Sequence, residues 1–333
     1  MGLSRDVELL YSKRFLCSYS PMTTPADVEG IIEDYWHGKE PWFKSRGYQL
    51  HPRYKKGWVP SWVTNPPSWQ PPTWNPPARG PYHAPVIDAI RIRDDKAVVL
   101  KRTFKHAVNG EETKLTAYFS SPSLRYDFNN HCIPLLDVMD IPDDENFAII
   151  VVPLLRPFNS PRFDTVGECV DLFQQIFKGL QFIHHQQVAH RDCSGWNLMM
   201  DGTDMFPEGW HPIRPTRNRE YTGHAKSDMM PQAIPMHGND RTVPEFQSED
   251  YQSRPLNPFP TDIYYLGNLI QTNFTEGGEY TGAKFCFDFM KPLVADMVQE
   301  DPAKRPTIDE CVARLDEIVS SLSSWKLRSQ VNR

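Results

Sequence analysis

Apolar positions along this chain recur at two different periods, and the change between them divides it. Val86-Ile87-Asp88-Ala89-Ile90-Arg91-Ile92 alternates in steps of two, as a half-buried strand must when successive side chains point to opposite faces. The polar run Arg93-Asp94-Asp95-Lys96 predicts a turn, and Ala97-Val98-Val99-Leu100-Lys101 predicts a second strand that closes a β-hairpin. Cys132-Ile133-Pro134-Leu135-Leu136-Asp137-Val138 and Phe147-Ala148-Ile149-Ile150-Val151-Val152 predict two more buried strands. Between them, Glu112 to Phe119 has the apolar spacing of a helix. From Val166 onward the helical period dominates. Val166, Val170, Phe173, Ile176, Phe177, Leu180 and Ile183 predict one long helix, and Leu198-Met199-Met200 a short strand after it. Asp262 to Gly267 opens a buried helix, and Phe285 to Val298 forms another helical region. Asp301 to Thr307 predicts a turn with a cap at Thr307. Ile308, Cys311, Val312, Leu315, Ile318, Val319, Leu322 and Trp325 mark the final helix. These stripes read as core faces, not as cofactor boxes.

Two stretches break the pattern. Thr24-Pro25-Ala26-Asp27 followed by Val28, Ile31, Ile32 and Tyr35 starts a short amphipathic helix. Trp36 to Trp74 is then dense in tryptophan and proline, and proline removes the backbone donors that regular ladders need. An extended or turn-rich arm is expected there, pinned to the body by its tryptophans. The second stretch, Asp201 to Thr242, has almost no periodic apolar signal and reads as loop. The division expected is therefore an N-terminal extension over 1–80, a strand-rich part over 81–155 and a helical part over 156–327, an α+β class.

Composition narrows the options. A formal net charge of −6 argues against a nucleic-acid surface covering the whole protein. Arg46, Arg53, Lys55 and Lys56 read as a solvated basic face. Cys17, Cys132, Cys169, Cys193, Cys286 and Cys311 contain no C-x-x-C pair, so neither a zinc site nor a disulfide framework is indicated. Scattered single cysteines fit a reducing compartment, and no apolar run reaches membrane-spanning length. The expected location is cytoplasmic or nuclear, with no membrane and no nucleic-acid partner.

Candidate chemistry concentrates in His190-Arg191-Asp192-Cys193-Ser194-Gly195-Trp196-Asn197. A carboxylate followed five residues later by an amide suits phosphoryl transfer. The acid orients a hydroxyl and takes its proton, while the amide helps hold a metal on the phosphates. The spacing is that of the protein-kinase catalytic loop, H-R-D-x-x-x-x-N. Lys101 ends an apolar strand, as the lysine of V-A-I-K does, and Val243-Pro244-Glu245 is similar to A-P-E. With Asp262, Gly267 and the Asp301 to Thr307 turn, these motifs stand in the order of that family.

From about residue 86 to residue 325 the chain thus resembles the eukaryotic protein-kinase family, most closely the divergent kinase-like proteins of fungi. The resemblance implies a two-lobed fold, with a small β-rich lobe and a larger helical one. It implies ATP and Mg²⁺ at the cleft between the lobes. Asp192 would be the catalytic base, Asn197 a metal ligand and Lys101 the phosphate anchor, with Glu112 as its carboxylate partner. Val152, Pro153 and Leu154 would wall the adenine pocket at the hinge. His190 and Arg191 would frame the loop, Asp262 would hold its backbone from below, and Glu245 would pair with Arg305.

Three departures limit the activity this implies. No G-x-G-x-x-G precedes Lys101. Ser194 stands where Ser/Thr kinases carry a lysine that touches the γ-phosphate. No D-F-G follows the loop, and no apolar strand is evident to carry one; Asp201, Asp204, Asp228 and Asp240 read as solvated loop. Two accounts of the missing motif stand: a pseudokinase fold that now serves binding, or a sequence lacking an exon within about 215–238. The expected function is a protein-kinase-like phosphotransferase, ATP to protein hydroxyl, impaired by the missing motif. A pseudokinase scaffold is the alternative. A small-molecule phosphotransferase on the same fold is the third reading, although such enzymes typically lack the Pro-Glu and Asp-Pro-x-x-Arg-Pro motifs found here.

Overall fold

A computed structural model describes residues 25–57, 86–105, 111–142, 144–195, 197–206, 210–211, 214–218, 232–235, 242–244, 257–278, 281–282 and 285–331. It is a mixed α+β structure built on a five-stranded antiparallel sheet. The strands are β1 (Tyr48–Leu50), β2 (Val86–Arg91), β3 (Lys96–Phe104), β4 (Asp137–Asp140) and β5 (Phe147–Pro153), in the order β1-β2-β3-β5-β4. The hairpin expected from Val86 onward forms, with Val86 opposite Lys101 and Ala89 opposite Val98. Its turn closes on Asp95 at φ 54°, while Arg91 clasps Asp94 through Nε at 2.9 Å and Nη2 at 2.6 Å. The strand expected over 132–138 begins only at Asp137. Pro134 has no N–H to give a ladder, and Val138 is 41% exposed.

The sheet has two distinct faces, because its side chains alternate. Ile87, Ala89, Val98, Leu100, Ile149 and Val151 form one face and pack with Trp36, Phe43, Tyr48, Leu50 and Tyr54. These aromatics come from β1, the turn after it and α1 (Pro25–Ser45). The extended arm expected from Trp36 is corrected here. Trp36 and Phe43 lie seven residues apart, about two helical turns, and so share one side of α1. Both are fully buried against the sheet. Pro41 lies inside the helix and costs it one intrahelical hydrogen bond. The tryptophans from Trp58 to Trp74 lie outside the described residues.

The helical part surrounds α3 (Val166–His185), which follows α2 (Glu111–Phe119) and the two-residue strand β6 (Arg156–Pro157). Thr165 and Glu168 cap the start of α3 reciprocally. The Glu168 amide donates to the Thr165 hydroxyl at 3.3 Å, and the Thr165 amide donates to the Glu168 carboxylate at 3.2 Å. The buried stripe of α3 packs with α4 (Phe259–Ile270), α5 (Lys291–Met297) and α6 (Ile308–Ser321) around Phe173, Phe177, Phe274 and Phe287. Thr307 and Glu310 make the expected cap on α6 in the same reciprocal way. Trp325 belongs to a separate short helix, α7 (Ser324–Leu327), and is 78% exposed. It is therefore not part of the core stripe expected for the last helix. Among the described residues no helix is long and apolar enough to cross a membrane.

The stretch expected to be loop from Asp201 to Thr242 is also corrected. It contains β8 (Trp210–His211) paired with β9 (Arg214–Asn218), and β10 (Gln232–Pro235). β10 lies antiparallel to β7 (Leu198–Asp201), with Pro235 opposite Leu198, and β6 lies on the other side of β7. A four-residue strand holding only Ala233 and Ile234 as apolar interior is too short to announce itself by alternation. The hydrogen-bonding edge of β7 supplies the partner it needs.

Candidate active site

The 190–197 loop follows α3 and ends where β7 begins, so its two flanks are fixed by the helical core. Val188 and Ala189 lead into it. Beneath it lies Asp262 on the first turn of α4, completely buried. Its Oδ2 accepts from the His190 amide at 2.7 Å and lies 2.9 Å from His184 Nε2, while its Oδ1 accepts from the Arg191 amide at 2.5 Å. Arg191 sits at φ 67°, in the left-handed region that side-chain-bearing residues seldom adopt. The two amide bonds to one carboxylate hold it there. The Asn197 Nδ2 closes the loop from the other end, donating to the Asp192 carbonyl at 2.8 Å and to the Ser194 hydroxyl at 3.3 Å. Asp192 and Asn197 are both buried within this turn.

Across from the loop, Lys101 on β3 is ion-paired with Glu112 in the first turn of α2, both largely shielded from solvent. The interval between them is 11 residues, and α2 starts close enough behind β3 to close it. A neighbouring bond ties strand and helix together, Thr103 Oγ1 to Thr113 Oγ1 at 2.8 Å. A cavity of about 120 Å³ is lined by Glu112, Ile150 and Val152 from the sheet side and by Val188, Ala189 and His190 from the loop side. Glu112, the partner of Lys101, and His190, the first residue of the loop, therefore line one space.

β5 runs through Val152 to Pro153, and the Leu154 amide reaches the Ala97 carbonyl at 3.4 Å. Arg305 is buried, giving hydrogen bonds to the carbonyls of Gln299 at 2.7 Å, Pro260 at 3.1 Å and Glu300 at 3.3 Å. Its guanidinium also lies 4.9 Å from the Tyr264 ring centroid. Glu245, the expected partner, lies outside the described residues.

The thiol of Cys193, inside the loop, is pushed well up in pKa by burial and then by the negative charges of Asp262 and Asp192. It stays protonated at neutral pH and is no nucleophile. Among the described residues no group of three His, Cys, Asp or Glu side chains is arranged to hold a metal. Magnesium asks for near-octahedral oxygen donors. From the loop the described residues bring one carboxylate, Asp192, and one amide, Asn197. By themselves they do not fit the ion.

One cluster carries no sequence signal as a site. Arg156 directly follows the Pro153 to Leu155 segment and is completely buried. Its guanidinium carbon lies 4.3 Å from the Phe206 ring centroid and 5.5 Å from that of Trp210. Its Nε donates to the Ser160 carbonyl at 2.9 Å, and Nη1 has no hydrogen-bond partner among the described residues. Burial lowers its pKa to about 10, so it is still a cation at neutral pH. A β-carbon at Gly202 would lie 2.2 Å from Arg156 Cδ, so only glycine leaves room for this side chain. Arginine before proline, and aromatics within a charged, proline-bearing loop, look like ordinary surface chain until β7 brings them together.

No protein-family model matches the chain, and no curated protein matches it.

Proposed function

We propose that the chain is a protein-kinase-like phosphotransferase of two-lobed kinase-like fold, transferring a phosphoryl group from ATP to a protein hydroxyl slowly or not at all. The observation that carries this reading is the Lys101–Glu112 ion pair, whose glutamate lines one cavity with His190 of the loop. Glu112 holds the ammonium in place, and its remaining donors are available to phosphate oxygens. Asp192, on a turn fixed by Asn197 and Asp262, would orient the attacking hydroxyl and take its proton. Mg²⁺ would supply charge neutralisation on the β- and γ-phosphates, and the described donors fall short of holding it. The loss of that electrostatic stabilisation is why transfer is expected to be weak.

A second reading, a pseudokinase scaffold, is favoured by the register of β10. Pro235 pairs with Leu198, so the residues that follow the strand in sequence are Met236-His237-Gly238. In sequence these three, which lie outside the described residues, take the place of D-F-G in the resemblance, with glycine kept and the carboxylate replaced by methionine. A strand in this place also argues against a skipped exon as the source of the missing motif.

Transfer of labelled γ-phosphate from ATP to a generic protein acceptor tests the proposal. The expected rate lies at least about a thousandfold below the roughly 1–100 s⁻¹ typical of kinases. Any transfer that remains is abolished in Asp192→Ala. Fast turnover, or slow turnover that survives Asp192→Ala, would refute it.

A further inference from the structure

We propose that Phe206 and Trp210 form an intramolecular plug over the inner face of the sheet, closing the surface against which an adenine ring would stack. The inner face follows from the strand register. Val86 pairs with Lys101, Val99 with Val152, and Lys101 with Ile150, and these side chains alternate with the ones that face α1. Val99, Ile150, Val152 and Leu154 share a single apolar cluster with Met200, Met205, Phe206 and Trp210, and Val86, Ala97 and Leu155 pack at its edge. Val152 is 1% exposed and Val99 7% exposed. On the side of Val99 and Leu154 the walls of the expected nucleotide pocket are therefore covered by the protein's own side chains, while Ile150 and Val152 also border the cavity shared with Glu112 and His190.

The covering segment leaves the end of β7 and turns at once. The Phe206 amide bonds back to the Gly202 carbonyl at 2.9 Å, and the Phe206 and Trp210 rings lie 6.3 Å apart. Arg156 is the pin. Anchored on Ser160 beside the hinge segment, its guanidinium lies against both rings and couples the plug to the strand that leaves the pocket. A flat aromatic ligand entering here must displace aromatic rings already in place, and removing those rings should open the face without touching Lys101, Asp192 or Asn197. The identity of the excluded ligand as a nucleotide rests on the function proposed above; the closure itself does not.

The test keeps the two apart. Val99→Cys is introduced into the full chain, and its modification by a maleimide is followed by peptide mass spectrometry, so the native cysteines do not interfere. In the otherwise unaltered protein the reaction should be slow, and in Phe206→Ala/Trp210→Ala it should be at least tenfold faster. Trp210→Ala alone, expected about threefold faster, serves if the double variant fails to melt cooperatively. Equal labelling rates in the parent and the variants would overturn the plug, whatever nucleotide does. Alongside, ATP should bind the double variant at least tenfold more tightly than the parent. Faster labelling with no gain in ATP binding would uphold the closure and count against the nucleotide reading.

Discussion

Asp262 is the residue on which the loop geometry turns. One carboxylate with no exposure to solvent satisfies two consecutive backbone amides and His184, and those amides hold Arg191 at its positive φ. Asp262→Ala removes the fully buried acceptor of the His190 and Arg191 amides and the partner of His184, and removing one member of such a network costs about 3–5 kcal/mol. The midpoint of urea unfolding should fall accordingly, and a change below about 1 kcal/mol would show that the network is not holding the loop. Two tyrosines, alongside the thiols of Cys132, Cys193 and Cys311 that burial also raises in pKa, contribute to the loss of stability at alkaline pH. The Tyr48 hydroxyl donates to Asp137 at 3.0 Å; burial first and that bond second raise its pKa from 10.0 to about 12. Burial likewise raises Tyr35 from 10.0 to about 12. An acid whose pKa rises on folding keeps its proton in the native state while the unfolded chain loses it. The resulting stabilisation is complete below pH 10 and lost as pH climbs towards 12. Tyr48→Phe should flatten the decline of stability with pH across that window; a decline of unchanged slope would count against the buried phenol.

At the level of elements, legibility followed length and period. The hairpin and α3 declared themselves through long runs at periods of two and 3.6, and the capping boxes at Thr165 and Thr307 marked where helices begin. The candidate loop was readable because the chemistry proposed for it is compressed into eight consecutive residues. The parts that were not readable are those whose stability comes from a distant partner. α1 carries Pro41 and lies beside a run of prolines, so composition argued for an arm; Trp36 and Phe43 make it a helix by burying themselves against β2, β3 and β5. Phe43→Ala should cost about 3–5 kcal/mol by denaturant unfolding, whereas a loosely docked arm would lose almost nothing. β10 exists only through β7, and the Arg156 cluster only through the turn after it. The contact of α4 with α5 is tight at Gly267, where an added β-carbon would lie 2.7 Å from Met297 Cβ and 2.9 Å from Val298 Cγ1. Gly267→Ala should therefore destabilise by about 1–3 kcal/mol, read as a lowered melting temperature.

The molecule as a whole sets a loop held by Asp262 and Asn197 opposite the Lys101–Glu112 pair, and among the described residues the loop brings one carboxylate, Asp192. On this account the Lys101–Glu112 pair keeps the means to hold phosphate, while the gain that Mg²⁺ ordinarily brings is lost. Calorimetric titration with ATP, in Mg²⁺ and in a chelator, measures this directly in the full chain carrying Phe206→Ala/Trp210→Ala. Binding should change by less than about threefold between the two conditions and disappear in Lys101→Met. Tightening of tenfold or more by Mg²⁺, about 1.4 kcal/mol, would contradict it, as would binding indifferent to Lys101→Met or no binding at all.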